Sequence, residues 1–286
     1  MNHKTTAAAL LFLIACFAFL YRQVIGDLVY DWSRDDNYSH GFLIVPIALY
    51  LAWERRIKFA STERRPSNFG LILVLGSVLL LFAGVLGTEF FTTRISMLGI
   101  IAGSLVFLFG WAQLRIMLFP VAFLLLMIPI PAIIFNQVAF PLQLLASRFA
   151  EGTLAACQVP VFREGNVINL ANTSIEIAEA CSGIRSLIAL LTLGIVYGYF
   201  MEARLWVRIV LALATIPVAI AANAFRVAGT GLAAHFYGSA AAQGFFHSFS
   251  GWLVFLVAFA MLFALHRILL LIRRAGQVTT TGWRTG

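Results

Sequence analysis

A chain of 286 residues with 61% hydrophobic and 11% charged side chains carries less than half the charge of a soluble domain, about 25%, which excludes a water-coated globule. Its mean hydropathy is +0.93, and stretches of about 18 or more apolar residues read as membrane spans. The net charge of +8 sits in short loops between spans, so it reports orientation and excludes a nucleic-acid partner; three cysteines at unrelated spacings exclude a disulfide framework or a CxxC metal pair.

In chain order, Lys4 precedes an apolar run from Ala7 to Leu20, in which Leu13-Ile14-Ala15-Cys16 faintly resembles a lipoprotein cleavage box. The run continues past Cys16, so it reads as an uncleaved first span. Spans are predicted at roughly 7–25, 41–54, 69–87, 95–112, 115–134, 182–200, 207–234 and 248–272. The fold class is therefore an all-α polytopic membrane protein with about eight transmembrane helices. Residues 1–286 form a single integral membrane domain with no separate soluble domain.

With the N-terminus inside, the inner loops and C-terminal tail hold 13 of the 20 basic residues. The outer loops hold five: Arg22, Arg34, Arg94, Arg148 and Arg163. The positive-inside rule then sets both termini in the cytoplasm. Arg185 and Arg226 lie within predicted spans.

The longest non-spanning region, about 129–181, falls outside. Pro129 and Pro131 end the fifth span, because proline removes a helix donor. From Asn136 to Cys157, Val138, Leu142, Leu145 and Phe149 make an apolar stripe, which predicts a helix lying in the outer interface. Val161-Phe162 and Val167–Leu170 flank Arg163-Glu164-Gly165-Asn166, a short hairpin-like signal. Ile175 and Ile177 alternate with Glu176 as a further strand.

Charged groups inside spans cost roughly 2.5–3.5 kcal/mol and are functional candidates by default. Three segments carry them. Cys181 stands where the outer loop becomes the sixth span, at a helix N-terminus that favours a thiolate. Ser182 follows it, Gly183 admits another backbone closely, and Arg185 shares the face of Cys181 at i+4. Arg226 lies 18 residues along the seventh span from Arg208, roughly 27 Å and close to the outer face of a ~30 Å core. Asn223 shares its face at i+3. His247 opens the eighth span, again outside, with Trp252 as an aromatic belt residue; histidine moves protons near neutral pH, and His235, in the same outer loop, competes for that role. Each residue alone has a plainer reading: a buried structural cysteine, an arginine snorkelling to headgroups, an interfacial histidine. Together they supply a nucleophile, an oxyanion stabiliser and a proton shuttle.

Here the chain resembles the exosortase/archaeosortase family. The resemblance rests on Ala180-Cys181-Ser182-Gly183-Ile184-Arg185-Ser186, Asn223-Ala224-Phe225-Arg226-Val227, and His247 before Gly251-Trp252. It extends to Asp36-Asn37-Tyr38-Ser39-His40-Gly41 followed by Pro46, and to Met127-Ile128-Pro129-Ile130-Pro131. It implies a bacterial inner-membrane cysteine peptidase or transpeptidase with Cys181, Arg226 and His247 as catalytic residues. Beside them, and from the residues themselves, Arg185, Asn223, Ser182 and Gly183 read as support and His40 and Trp252 as substrate contacts, His40 reading equally as a plain helix-start histidine. The implied partners are secreted proteins ending in a Pro-Glu-Pro motif, a membrane helix and a basic tail, an acceptor the motifs do not specify, and membrane lipids. No cofactor and no metal are expected, since no ligand spacing occurs. Two other readings stand beside it: a glycan or lipid-linked transferase whose Arg185 and Arg226 bind phosphate, and a transporter. A transporter predicts internal repeats and mid-membrane charges, and neither is evident.

Overall fold

The computed structural model describes residues 3–171, 174–176, 184–238 and 245–281, with side chains for 11–171, 174, 185–238, 252–253 and 255–271. Among them, Phe69–Leu86, Phe90–Leu108 and Leu205–Tyr237 are long and apolar enough to cross a membrane. The number rises to five if two broken pairs, Leu11–Leu20 with Arg22–Arg34 and Trp111–Met127 with Ala132–Ala156, each count as one span. Shorter apolar helices cover Gly41–Glu54, Arg185–Met201 and Phe255–Leu271. Large side chains such as Leu79, Leu86, Ile133 and Leu213 are exposed along these helices, as on a surface solvated by lipid rather than water. The packing divides into two compact units, Met1–Ala132 and Ile133–Gly286.

In the first unit, α1 (His3–Leu20) and α2 (Arg22–Arg34) meet at a 65° bend. The sequence predicts one continuous span over 7–25, and the structure corrects this. Tyr21 is fully buried at the break, and its hydroxyl bonds Ser96 at 2.7 Å. α3 (Gly41–Glu54) is followed by the short α4 (Arg56–Ser61), and then α5 (Phe69–Leu86) and α6 (Phe90–Leu108) form a tight hairpin. Its closeness follows from Gly99 and Gly103, a GxxxG pair of the kind that brings membrane helices together. A Cβ on Gly99 would overlap Ser77, and one on Gly103 would come within 2.9 Å of Val74. Arg94, expected in an outer loop, instead lies in α6, 4% exposed and paired with Asp31 of α2 at 2.5 Å.

α7 (Trp111–Phe123) continues as a 3-10 turn, Leu124–Met127, and stops there. The fifth span was expected to run to 134; it ends early because Pro129 and Pro131 carry no N–H for the preceding turn. The orphaned backbone groups are taken up by the segment that follows α2. Trp32 Nε1 donates to the Met127 carbonyl at 2.9 Å, and His40 Nε2 to the Leu126 carbonyl at 3.1 Å. The Tyr38 hydroxyl bonds the Ile130 backbone. In a continuing helix Leu126 and Ile130 would have bonded each other, so Tyr38 and His40 replace the two halves of one missing bond.

In the second unit, α8 (Ala132–Ala156) leads to a three-stranded antiparallel sheet of β1 (Val161–Glu164), β2 (Val167–Leu170) and β3 (Ser174–Glu176), in the order β1-β2-β3. The hairpin and the further strand agree with the sequence pattern. A helix covers the expected stretch, and Val138, Leu145 and Phe149 of its apolar stripe are exposed rather than packed against protein. The face it buries is Phe135, Ala139, Gln143, Ala146, Ser147, Ala150 and Leu154, mostly small, and Ser147 Oγ donates to Gly165 in the β1–β2 turn at 3.1 Å. Arg163 of β1 pairs with Glu151 of α8 at 2.8 Å.

Three helices complete the unit: α9 (Ile184–Met201), α10 (Leu205–Tyr237) and α11 (Phe245–Thr281). Gly198 faces Arg208, and Gly194 is enclosed by Leu211, Thr215 and Leu262. Leu190 shares a buried layer with Ala219, Ala222 and Ala258. Numbering thus falls along α10 and rises along α11 as α9 is climbed, so α9 runs antiparallel to α10 and parallel to α11.

Candidate active site

Continuing that register toward the start of α9 brings Ile184–Arg185 level with Asn223–Arg226 on α10 and with Trp252–Leu253 on α11. Cys181, Ser182 and Gly183 precede α9 and lie outside the described residues, as does the side chain of His247, whose backbone belongs to the first turn of α11. Arg185 and Arg226 are both partly buried.

Arg226 stands at a seam between two cores. Below it, Ala219 and Ala222 pack with Leu190 and Ala258. Above it, Val227, Ala228 and Ala234 pack with Ala146, Ala150 and Leu154 of α8 and with Ile168 and Leu170 of β2. Asn223 is 2% exposed, one turn from Arg226 on the same face. The Arg226 carbonyl accepts from Thr230 Oγ1 at 3.0 Å, a back-bond common to threonine in apolar helices. Packing on both sides along α10 thus fixes the level of the Arg226 backbone.

Trp252 is 65% exposed and lines an apolar groove of about 270 Å³ with Leu193, Phe255, Leu256 and Phe259. His40 belongs to the first unit, where its ring bonds the Leu126 carbonyl. Burial there drives its pKa below the ordinary 6.5, against the raising effect of its bonds to the Leu126 and Asn37 backbone. Cys16 and Cys157 are exposed free thiols. Among the described residues, no group of three or more His, Cys, Asp or Glu side chains is arranged to hold a metal.

Two polar clusters escape the sequence reading. One is Asp31–Arg94, missed because Arg94 follows the Thr88-Glu89 turn and counts as a loop residue by position. The other is Tyr197, Glu202 and His266 where α9 turns into α10, the last two buried. Glu202 and His266 flank apolar runs, and such flanking charges read as orientation markers; only their burial, 8% and 5% exposed, reveals otherwise.

The apolar helices define a membrane protein. A family model described as transmembrane exosortase (Exosortase_EpsH) matches residues 32–264, and the chain belongs to that family. Comparison with curated proteins and with solved structures gave no match. Exosortases are membrane-embedded, cysteine peptidase-like enzymes, and membership points to a transpeptidase role in sorting secreted proteins that carry a sorting signal.

Proposed function

We propose that this chain cuts a C-terminal Pro-Glu-Pro-type sorting signal on the extracytoplasmic side of a bacterial inner membrane and transfers the new carboxyl end to an acceptor. The reading includes eight spans: three long helices, two broken pairs and three shorter apolar helices supply that number of segments. It takes the whole chain as one membrane enzyme with both termini inside.

The Cys181 thiolate attacks the scissile carbonyl carbon, forming a C–S bond and a tetrahedral oxyanion. Arg226 stabilises the oxyanion. The intermediate collapses as the C–N bond breaks, and His247 gives its proton to the departing amine. Neutral His247 then takes a proton from the acceptor nucleophile, which attacks the thioester and releases the thiolate. Arg185, one turn along α9, lowers the cost of the thiolate charge, and Ser182, Gly183 and Asn223 shape the site. Trp252 guides the apolar part of the substrate.

The observation that best supports this reading is the register of α9, α10 and α11, which brings Arg226 level with the start of α9, three residues after Cys181. The deciding experiment is Cys181→Ala. Processing of a sorting-signal substrate should be abolished while the protein still accumulates in the membrane. Cys16→Ala and Cys157→Ala should keep most activity. Normal processing by Cys181→Ala would end the peptidase reading and favour a phosphate-binding transferase.

A further inference from the structure

At the end of α9 where it turns into α10, Glu202 and His266 are buried and Tyr197 is half-buried among apolar helices. Tyr197 Oη of α9 and His266 Nδ1 of α11 are 2.8 Å apart, with the rings edge to face at 88°. His266 Nε2 points toward Glu202 Oε2 but stops at 3.9 Å and has no hydrogen-bond partner. That gap is beyond hydrogen-bonding distance. Glu202 is itself clamped: Oε1 accepts from the N–H groups of Ala203 and Arg204 at 3.0 and 3.1 Å. Its carbonyl accepts from Arg208 Nε of α10 at 2.6 Å. The groups facing the imidazole are thus Tyr197 and Glu202; Arg267, next to it on α11, acts on Tyr197, and the Arg208 guanidinium lies over the Tyr199 ring. His266 lies two residues beyond the stretch matched by the family model.

Elsewhere among the described residues the α9–α10–α11 contact is mainly apolar, with Thr192, Thr215 and Asn223 as buried polar exceptions. Leu190, Ala219, Ala222 and Ala258 fill one layer, and Val207, Leu211 and Leu262 the next. Such faces resist separation but discriminate poorly against sliding by one turn, about 5.4 Å. A directional bond between two particular side chains does discriminate, which is the best-attested use of buried polar groups in helical bundles.

We propose that Tyr197, His266 and Glu202 form a polar lock that fixes the axial register of α11 against α9 and α10, and thereby positions His247 for proton transfer. His247 lies nineteen residues back along the same helix, roughly 28 Å. Tyr197, His266 and Glu202 are positioning residues. The inference rests on the peptidase reading for its catalytic half and on helix packing for its register half.

The test uses the full-length protein in membranes. His266→Leu removes the bond, His266→Gln keeps a partner for the Tyr197 hydroxyl, and Tyr197→Phe removes the bond from the other side. Displacement of a catalytic group by an ångström or more costs on the order of 10–100-fold. His266→Leu and Tyr197→Phe should therefore each lower kcat by about that factor with KM unchanged. The double variant should add nothing, and His266→Gln should recover to within a few-fold of wild type. In a cysteine-free background, thiols at Leu190 and Ala258 should cross-link with a short bifunctional reagent, and His266→Leu should move the best partner of position 190 one turn along α11. Unchanged kcat in either Tyr197→Phe or His266→Leu overturns the proposal, and so does a lowered kcat with an unmoved cross-link. If Cys181→Ala retains processing, the peptidase reading and the catalytic half fall together, and the cross-link alone then judges the register half.

Discussion

Two arginines that enter apolar surroundings illustrate how differently one side chain is used. Arg94 is 4% exposed and paired with Asp31, and its guanidinium lies 5.6 Å from the Phe90 ring centroid; it is neutralised at its own level. Arg226 is placed by packing on both sides of it along α10, and it belongs to the face that meets the start of α9. If it stabilises an oxyanion, its planar fork matters as well as its charge. Arg226→Lys preserves charge and should still lower processing by about 10²–10³-fold, the usual worth of one such group, with membrane levels unchanged. An arginine that only snorkels to headgroups would accept lysine at almost no cost, so near-normal processing by Arg226→Lys would transfer the oxyanion role to Arg185. The identity of Arg226 as a candidate is legible in the sequence, since a charge 18 residues into a span is conspicuous. Arg94 is not, because its partner lies 63 residues away and no local spacing announces it.

Among the elements, the break after α7 is the most informative. Prolines at 129 and 131 announce that a helix ends, yet the sequence does not say what satisfies the freed backbone. The structure gives that to Trp32, Tyr38 and His40, which explains why the Asp36–Gly41 segment and the Met127–Pro131 segment occur together in one chain. His40 enters this contact with a lowered pKa caused first by burial. A histidine whose folded pKa lies below its unfolded value is stabilising as the neutral ring, fully so above about 6.5. That stability is lost as pH falls below 6.5 toward the folded pKa, because the unfolded chain takes up the proton first. The thermal midpoint of the purified protein should therefore drop between pH 7.5 and pH 5, and His40→Gln should flatten that slope. Glu89, which caps α6 through the Phe91 and Thr92 N–H groups, has its carboxyl held below the ordinary 4.5, first by a hydrogen bond from the Thr92 side chain and then, against burial, by those N–H groups. Its contribution is lost only at more acidic pH, so the two windows separate. An unchanged slope in His40→Gln would show that the ring makes no pH-dependent contribution there. The α8 helix carries the converse lesson. Its stripe of large apolar residues is readable, but which side of a helix is buried inside a membrane protein is not, since lipid accepts the large side chains and the small ones seat against protein.

For the molecule as a whole, orientation decides whether the reaction can meet secreted proteins. Removing Arg94 from the outer loops leaves the asymmetry of basic residues stronger, because the basic segment around Arg55, Arg56, Lys58, Arg64 and Arg65 is unaffected. A cysteine at Asn166, in the β1–β2 turn, should react with a membrane-impermeant thiol reagent in intact cells. A cysteine at Ser61, at the end of α4, should stay unlabelled until the membrane is opened. The opposite pattern would put the sheet and the α9 start inside, away from any exported substrate. The bundle order also has a biosynthetic consequence. Cys181, Arg226 and His247 belong to three successive segments, and 66 residues separate the first from the last. At about 5–20 residues per second, the thiol leaves the ribosome roughly 3–13 s before the imidazole. If Cys181 and His247 act as proposed, the nascent chain holds the thiol without its proton shuttle until α11 inserts beside α9, and processing by a chain still in synthesis should be absent.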